Sequence, residues 1–154
     1  EPPPWCQPLG GMMQIGLDGS GSVVGCGGTS GVPQLGLQGD ALPGIGRTAQ
    51  LLVSGMAPAS VGLGFLGFND LTHSGLTLPV DLAVLGMTGC SLFVSIDDTY
   101  TLVGSGGSLV WDIPVPFTWS LVGVVGYVQA FCVDPGINAV GGTMTNAMSL
   151  RVGH

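Results

Sequence analysis

The sequence predicts an all-β protein: a two-sheet, antiparallel, jelly-roll-like β-sandwich stapled by disulfides, with no significant helix. No dozen consecutive residues favour a helix without glycine, and 29 of the 154 residues are glycine. Short runs of β type between turn signals fill the chain instead. About ten such runs in one domain of this length favour two packed sheets.

The strands are predicted from runs of β-branched, aromatic and aliphatic residues bounded by turn-forming residues. In chain order they cover residues 12–17, 34–38, 48–54, 60–68, 82–85, 91–96, 99–103, 108–113, 122–133 and 142–152. Turns are predicted at 18–21, 27–28, 69–70, 104–107 and 134–136. In the run 60–68, Val61, Leu63 and Phe65 alternate with glycine. This alternation predicts either close approach of another group to the glycine face, or a bulge or barrel corner.

The sequence divides into a short N-terminal arm, residues 1–11, and one sandwich domain, residues 12–154. Four prolines within residues 1–8 exclude an interior strand and favour an extended, polyproline-like arm. The opening residues are typical of a chain from which a signal peptide has been cleaved. We find no linker that would separate a second domain.

Charge is scarce in this chain. Only 7% of the residues are charged, against about 25% in ordinary soluble domains. There is no lysine, the two basic residues are Arg47 and Arg151, and the formal charge is −7. We therefore expect no nucleic-acid partner and no docking on an anionic membrane. No apolar stretch is long enough to predict a membrane helix. A surface of glycine, serine, threonine and apolar atoms suits packing against a partner.

The four cysteines, Cys6, Cys26, Cys90 and Cys132, are widely separated, and their spacing matches no metal-binding motif. An even number in a charge-poor chain favours two disulfides and an oxidising compartment, hence an extracellular or cell-surface protein. Three pairings are open from the sequence. The alternative is four buried free thiols in a cytosolic protein.

Three groups of segments together carry a resemblance to a known type of domain. They are GCGGTSGVPQL at 25–35; LPVDL at 78–82 with GCSLFVS at 89–95; and IP at 113–114, LVG at 121–123, QAF at 129–131, DPG at 134–136 and TNA at 145–147. Over about residues 25–153, the chain resembles an uncharacterised, secreted, glycine-rich β-sandwich domain of large extracellular proteins in planctomycetes and related environmental bacteria. The resemblance implies a Cys26–Cys90 disulfide. Pairing the two remaining cysteines then implies Cys6–Cys132, which would tie the arm to the domain.

The sequence contains no convincing catalytic group, and we expect no enzyme. His73 is the only internal histidine, and its turn-like surroundings favour a turn-capping role over a catalytic one. Asp97, Asp98 and Asp18 are candidate calcium ligands, the only cofactor the sequence suggests, although each also fits an Asx turn.

Two tryptophans, Trp111 and Trp119, lie eight residues apart around two prolines and are candidates for stacking on sugar rings. The alternative is that large aromatic side chains such as these pack in the core.

These observations favour a secreted structural protein whose main partner is itself, forming a homopolymeric extracellular fibre or surface layer. The expected contact surfaces are the arm and the strands near 60–68 and 121–133. Sheet edges are usually protected by lysine, and this chain has none. The alternative is a monomeric carbohydrate-binding or adhesive module with a polysaccharide partner.

Overall fold

The computed structural model describes residues 13–15, 25–39 and 42–154, and its regular structure is almost entirely β. The predicted arm, residues 1–11, lies outside the described residues. The strands are β1 (Met13–Ile15), β2 (Gln34–Leu37), β3 (Thr48–Ser54), β4 (Val61–Gly67), β5 (Thr72–His73), β6 (Leu76–Thr77), β7 (Val80–Asp81), β8 (Ser91–Leu92), β9 (Asp98–Val103), β10 (Leu109–Pro114), β11 (Val125–Val133), β12 (Gly142–Met144) and β13 (Met148–Arg151). Two one-turn 3-10 helices, Leu82–Leu85 and Trp119–Leu121, are the only helical segments in these ranges.

The longer strands form two antiparallel sheets that face each other. The large sheet has the order β1-β13-β11-β4-β9, with β12 also paired to β11, and the small sheet has the order β10-β3-β2. Leu51 and Trp111 of the small sheet share one buried core with Val128, Met148 and Leu150 of the large sheet. The structure therefore confirms the predicted two-sheet antiparallel sandwich.

Strand β4 has Gly62 and Gly64, together with Leu66, on the face toward the small sheet, whereas Val61, Leu63 and Phe65 lie on the other face. A Cβ atom placed on Gly64 would lie 2.6–2.8 Å from three atoms of the Trp111 ring. Real Cβ atoms do not approach other atoms so closely, so only glycine leaves room for the indole here. Of the two interpretations of the alternation, close approach of another group is correct at Gly64.

A third layer covers the outer face of the large sheet, and the sequence did not predict it. Residues 69–97 contribute the two-stranded ribbons β5-β6 and β7-β8 and the first 3-10 helix. Met87, Leu92 and Val94 of this layer pack in a second buried cluster with Phe65 and Phe131 of the large sheet.

The predicted strand 82–85 is wrong, because these residues form a 3-10 helix. The Asp81 carboxylate accepts a hydrogen bond from the Ala83 N–H at 2.9 Å and so caps the first turn. Gly86 then ends the helix with a φ of 91°, a left-handed conformation that favours glycine. The predicted strand 91–96 is also shorter than expected, since only Ser91–Leu92 pairs.

The predicted strand 142–152 is interrupted by a bulge. Between β12 and β13, the three residues 145–147 oppose only two residues of β11. The bulge lets Asn146 turn toward the small sheet, where its side chain accepts a hydrogen bond from the Leu35 N–H at 2.8 Å and donates one to the Leu35 carbonyl at 3.0 Å. The Asn146 side chain thereby joins the two sheets by bonding both backbone groups of Leu35, as a neighbouring strand would.

Candidate functional site

Trp111 lies in the core of the sandwich, so of its two interpretations core packing is the one that the structure supports. Only 1% of its surface is exposed, and it packs over Gly64 and beside Tyr100, with a ring-centroid distance of 5.6 Å. On β10 every second residue is buried, and Trp111 falls on the buried side. Its indole N–H has no hydrogen-bond partner among the described residues.

Trp119, in contrast, is accessible. Its side chain is 66% exposed on the second 3-10 helix, and the neighbouring Phe117 is 70% exposed. The two rings meet edge to face with centroids 5.9 Å apart. The structure therefore offers one exposed aromatic pair, which contains only one of the two candidate tryptophans.

An apolar cleft, here called the inter-sheet cleft, opens at one end of the sandwich. It has a volume of about 280 Å³, and every residue that lines it is aliphatic, aromatic, proline or glycine. Leu66 and Leu150 of the large sheet face Ile113 of the small sheet across it. Phe68, also in its wall, is 61% exposed. The cleft therefore accepts apolar groups and offers no side chain for acid–base chemistry.

A second apolar cleft, here called the outer cleft, lies on the opposite face of the large sheet. It has a volume of about 380 Å³ and lies between Leu63 and Phe65 of β4 and the 3-10 helix Leu82–Leu85, whose Leu85 lines it. That helix has no buried residue; Val84 is 86% exposed and Leu85 59%. Alternation along β4 places the two clefts on opposite sides of the strand.

The Cys26–Cys90 disulfide is confirmed and lies within the second buried cluster. Cys132 is buried on β11 and has no disulfide partner among the described residues. Burial, with a smaller contribution from the negative charge of Asp134, raises the pKa of the Cys132 thiol to about 12. Cys6, its predicted partner, lies outside the described residues, so the Cys6–Cys132 bridge stays a prediction.

The candidate calcium ligands Asp97 and Asp98 do not converge on one point. Asp97 accepts hydrogen bonds from the Phe68 N–H and the Ser95 hydroxyl, both at 2.9 Å, and these bonds hold the pKa of its carboxyl below the ordinary value. Asp98 accepts a bond from the adjacent Thr99 N–H. Asp18, the third candidate, lies outside the described residues.

His73 holds the third layer in place. Its Nδ1 accepts a hydrogen bond from the Ile96 N–H at 3.2 Å, and its Nε2 lies 3.5 Å from the Ser74 hydroxyl, at the limit of a hydrogen bond. The sequence predicted a cap on its own turn; the bond to Ile96 instead reaches a residue 23 positions along the chain. Across residues 25–39 and 42–154, no three His, Cys, Asp or Glu side chains come together in an arrangement that could hold a metal ion.

The sequence did not single out two buried polar side chains that join distant segments. Asp134 is only 4% exposed, and its two carboxylate oxygens accept bonds of 2.6 Å from the Thr29 N–H and hydroxyl. Gln129 is fully buried and links β11 to the Phe93 N–H, the Ser91 carbonyl and the Thr145 carbonyl. Asp134 lies in a predicted turn, which was the only signal in the sequence.

Comparisons with protein-family models, curated proteins and solved structures found no match to this chain. None of the helices among the described residues has the length and apolar character needed to cross a membrane. The disulfide is consistent with an oxidising compartment.

Proposed function

We propose that this protein is a secreted structural subunit that self-associates into an extracellular fibre or surface layer. The observation that carries the proposal is the exposed apolar surface at the outer cleft, where Val84 and Leu85 project beside a cavity lined only by apolar side chains. Large exposed apolar surfaces of this kind are typical of sites that pack against another protein. The apolar lining offers no group for catalysis, so packing is the function this surface supports best.

The free edge of the large sheet supplies a second contact. Strand β9 ends this sheet among the described strands. The Gly104 N–H donates to the Ser60 carbonyl, and bonded residues alternate along an antiparallel pair. The backbone groups of Thr99, Thr101 and Val103 therefore point away from β4, where a strand of another copy could pair with them. Val103 is 71% exposed, and no lysine protects this edge.

The strands near 60–68 and 121–133 are poor candidates for such pairing. Within these ranges lie β4 and β11, which have paired neighbours on both sides in the large sheet. The contacts we expect therefore move to the outer cleft and the β9 edge. Because these are different surfaces, a contact between the outer cleft of one copy and the β9 edge of another would be head to tail. A head-to-tail contact that does not close into a ring produces a filament.

The proposal is tested by negative-stain electron microscopy and light scattering of the purified chain over a range of concentrations. We expect ordered filaments or sheets that Leu85→Lys and Val103→Lys each abolish. Val110→Lys is the matched control, because Val110 is 44% exposed on the small sheet and belongs to neither the outer cleft nor β9. A species with the mass of one chain at every concentration would contradict the proposal.

The exposed pair of Phe117 and Trp119 supports a second candidate, a carbohydrate-binding or adhesive module. A single exposed indole with an edge-on phenyl ring can stack on one sugar ring, whereas the inter-sheet cleft provides no polar side chain to hold its hydroxyls. Binding on a glycan array that Trp119→Ala removes and Trp111→Phe retains would support this candidate. Unchanged binding in Trp119→Ala would exclude the aromatic pair as its site.

A further inference from the structure

The inter-sheet cleft has apolar walls, and the chain itself leads a further segment toward it. Strand β1 pairs antiparallel with β13, so that Met13 lies opposite Leu150 and Ile15 opposite Met148. Continued in this register, the chain before Met13 would run in the direction from Leu150 toward Val152. Both of these residues line the cleft.

The segment that precedes β1 has the composition to fill this cleft. Residues 1–12 contain one aromatic residue, Trp5, and one charged side chain, Glu1. Trp5 lies eight positions before Met13, a reach of roughly 26 Å if extended, against a strand spacing of about 4.8 Å. Gly10 and Gly11 permit a turn between them. The connection is therefore long enough for Trp5 to return to the cleft.

We propose that the inter-sheet cleft is the docking site of the N-terminal segment of the same chain, with the Trp5 indole as its anchor. An indole buries a large apolar area and keeps its N–H at the open rim, where a partner or water can accept from it. Docking within one chain is favoured because the short connection gives a high effective concentration. This inference is independent of the proposed assembly, which uses the outer cleft and the β9 edge.

The test uses the full chain labelled with 5-fluorotryptophan, whose ¹⁹F signals for Trp5, Trp111 and Trp119 are assigned from single Trp→Phe variants. A soluble gadolinium chelate broadens each signal according to its exposure. We expect Trp5 to be protected to about the level of the buried Trp111 and several-fold better than the exposed Trp119. Equal broadening of Trp5 and Trp119 would overturn the proposal.

A variant that fills the cleft provides the decisive comparison. A Cβ at Gly126 would point at Leu66, 3.3 Å away, so Gly126→Val occupies cleft space and should expose Trp5 several-fold. Gly36→Val, in β2 with no atom near its Cβ, is the matched control and should leave Trp5 protected. Continued protection of Trp111 shows that each variant keeps the sandwich intact.

Two outcomes of these experiments would overturn the proposal. Unchanged protection of Trp5 in Gly126→Val would show that the indole lies elsewhere. Protection that falls on dilution would show that the segment of a second copy fills the cleft, which overturns docking within one chain. Assembly is measured separately by microscopy, so the two proposals can fail independently.

Discussion

Replacing Gly64 by alanine tests the packing that joins the two sheets. The added methyl group would lie 2.6–2.8 Å from three atoms of the Trp111 ring, which is itself buried and packed beside Tyr100. A rigid ring with buried neighbours cannot move away easily, so the penalty should approach the upper end of the range of about 1–3 kcal/mol for overpacking. Alanine is less flexible than glycine in the unfolded chain, and this difference offsets roughly 0.4–1 kcal/mol of the penalty. The net loss expected is about 2 kcal/mol.

Urea unfolding followed by far-ultraviolet circular dichroism measures this loss with the disulfide intact. If the free energy of unfolding falls by about 2 kcal/mol per molar urea, the urea concentration at the unfolding midpoint should be about 1 M lower for Gly64→Ala. The matched control is Gly36→Ala, in which the new methyl group meets no atom within 4 Å and the midpoint should stay or rise slightly. An unchanged midpoint for Gly64→Ala would refute the packing argument.

A double-mutant cycle shows whether the indole is the cause. Trp111→Phe removes ring atoms that face Gly64, and it removes no hydrogen bond among the described residues, because the indole N–H has no partner there. The substitution alone should destabilise the protein through the cavity it leaves. The double variant should lose at least about 1 kcal/mol less unfolding free energy than the sum of the losses in Gly64→Ala and Trp111→Phe. Additive losses would place the strain elsewhere.

Four further predictions follow from the buried and bonded groups. Asp134→Ala leaves two donors of Thr29 without their acceptor and should lower the free energy of unfolding by about 2–4 kcal/mol in urea, whereas Thr29→Ser keeps both donors and should change it little. Cys90→Ala opens a disulfide that joins positions 64 residues apart and should lower that free energy by about 4 kcal/mol in urea unfolding. Because the pKa of the Asp97 carboxyl is lowered in the folded state, its contribution to stability is complete above the pKa that it has in the unfolded chain. That contribution is lost as the pH falls through the lower pKa of the folded state. Asp97→Asn should therefore flatten the curve of unfolding free energy against pH below about pH 4. The Cys132 thiol, with a pKa raised to about 12, should react with a thiol reagent at pH 8 only after unfolding, and an unfolded, unreduced chain without a reactive thiol would instead indicate a second disulfide.

Part of the fold could be predicted because it depends on local chemistry. Glycine at 62, 64 and 67 in β4 disfavours a helix, and Gly62 and Gly64 mark the face where another group approaches, since the Trp111 ring contacts Gly64 there. The turn at 104–107 was also predicted, and the bridge between Ser105 and Ser108 confirms it. These features depend on residues that are close in sequence.

The candidate site could be predicted only in part. Trp111 and Trp119 lie eight residues apart, yet one is buried and the other exposed. Their exposure depends on which side of β10 faces the large sheet and on where the connection to β11 leaves the sandwich. Neither property is a function of local sequence. The outer cleft was missed for the same reason, since it needs residues 82–92 to fold over β4.

The sequence by itself determined that the chain is β-rich, poor in charge and punctuated by glycine, because backbone freedom and hydrophobic alternation act over a few residues. It also carried the resemblance that implied the Cys26–Cys90 bridge. Only the tertiary structure decided that β4 and β11 lie inside a sheet while β9 lies at its edge, and that Asn146 reaches Leu35 across the sandwich. These outcomes depend on pairings between residues far apart in the chain, whose partners are selected by the burial of whole faces rather than by any local preference.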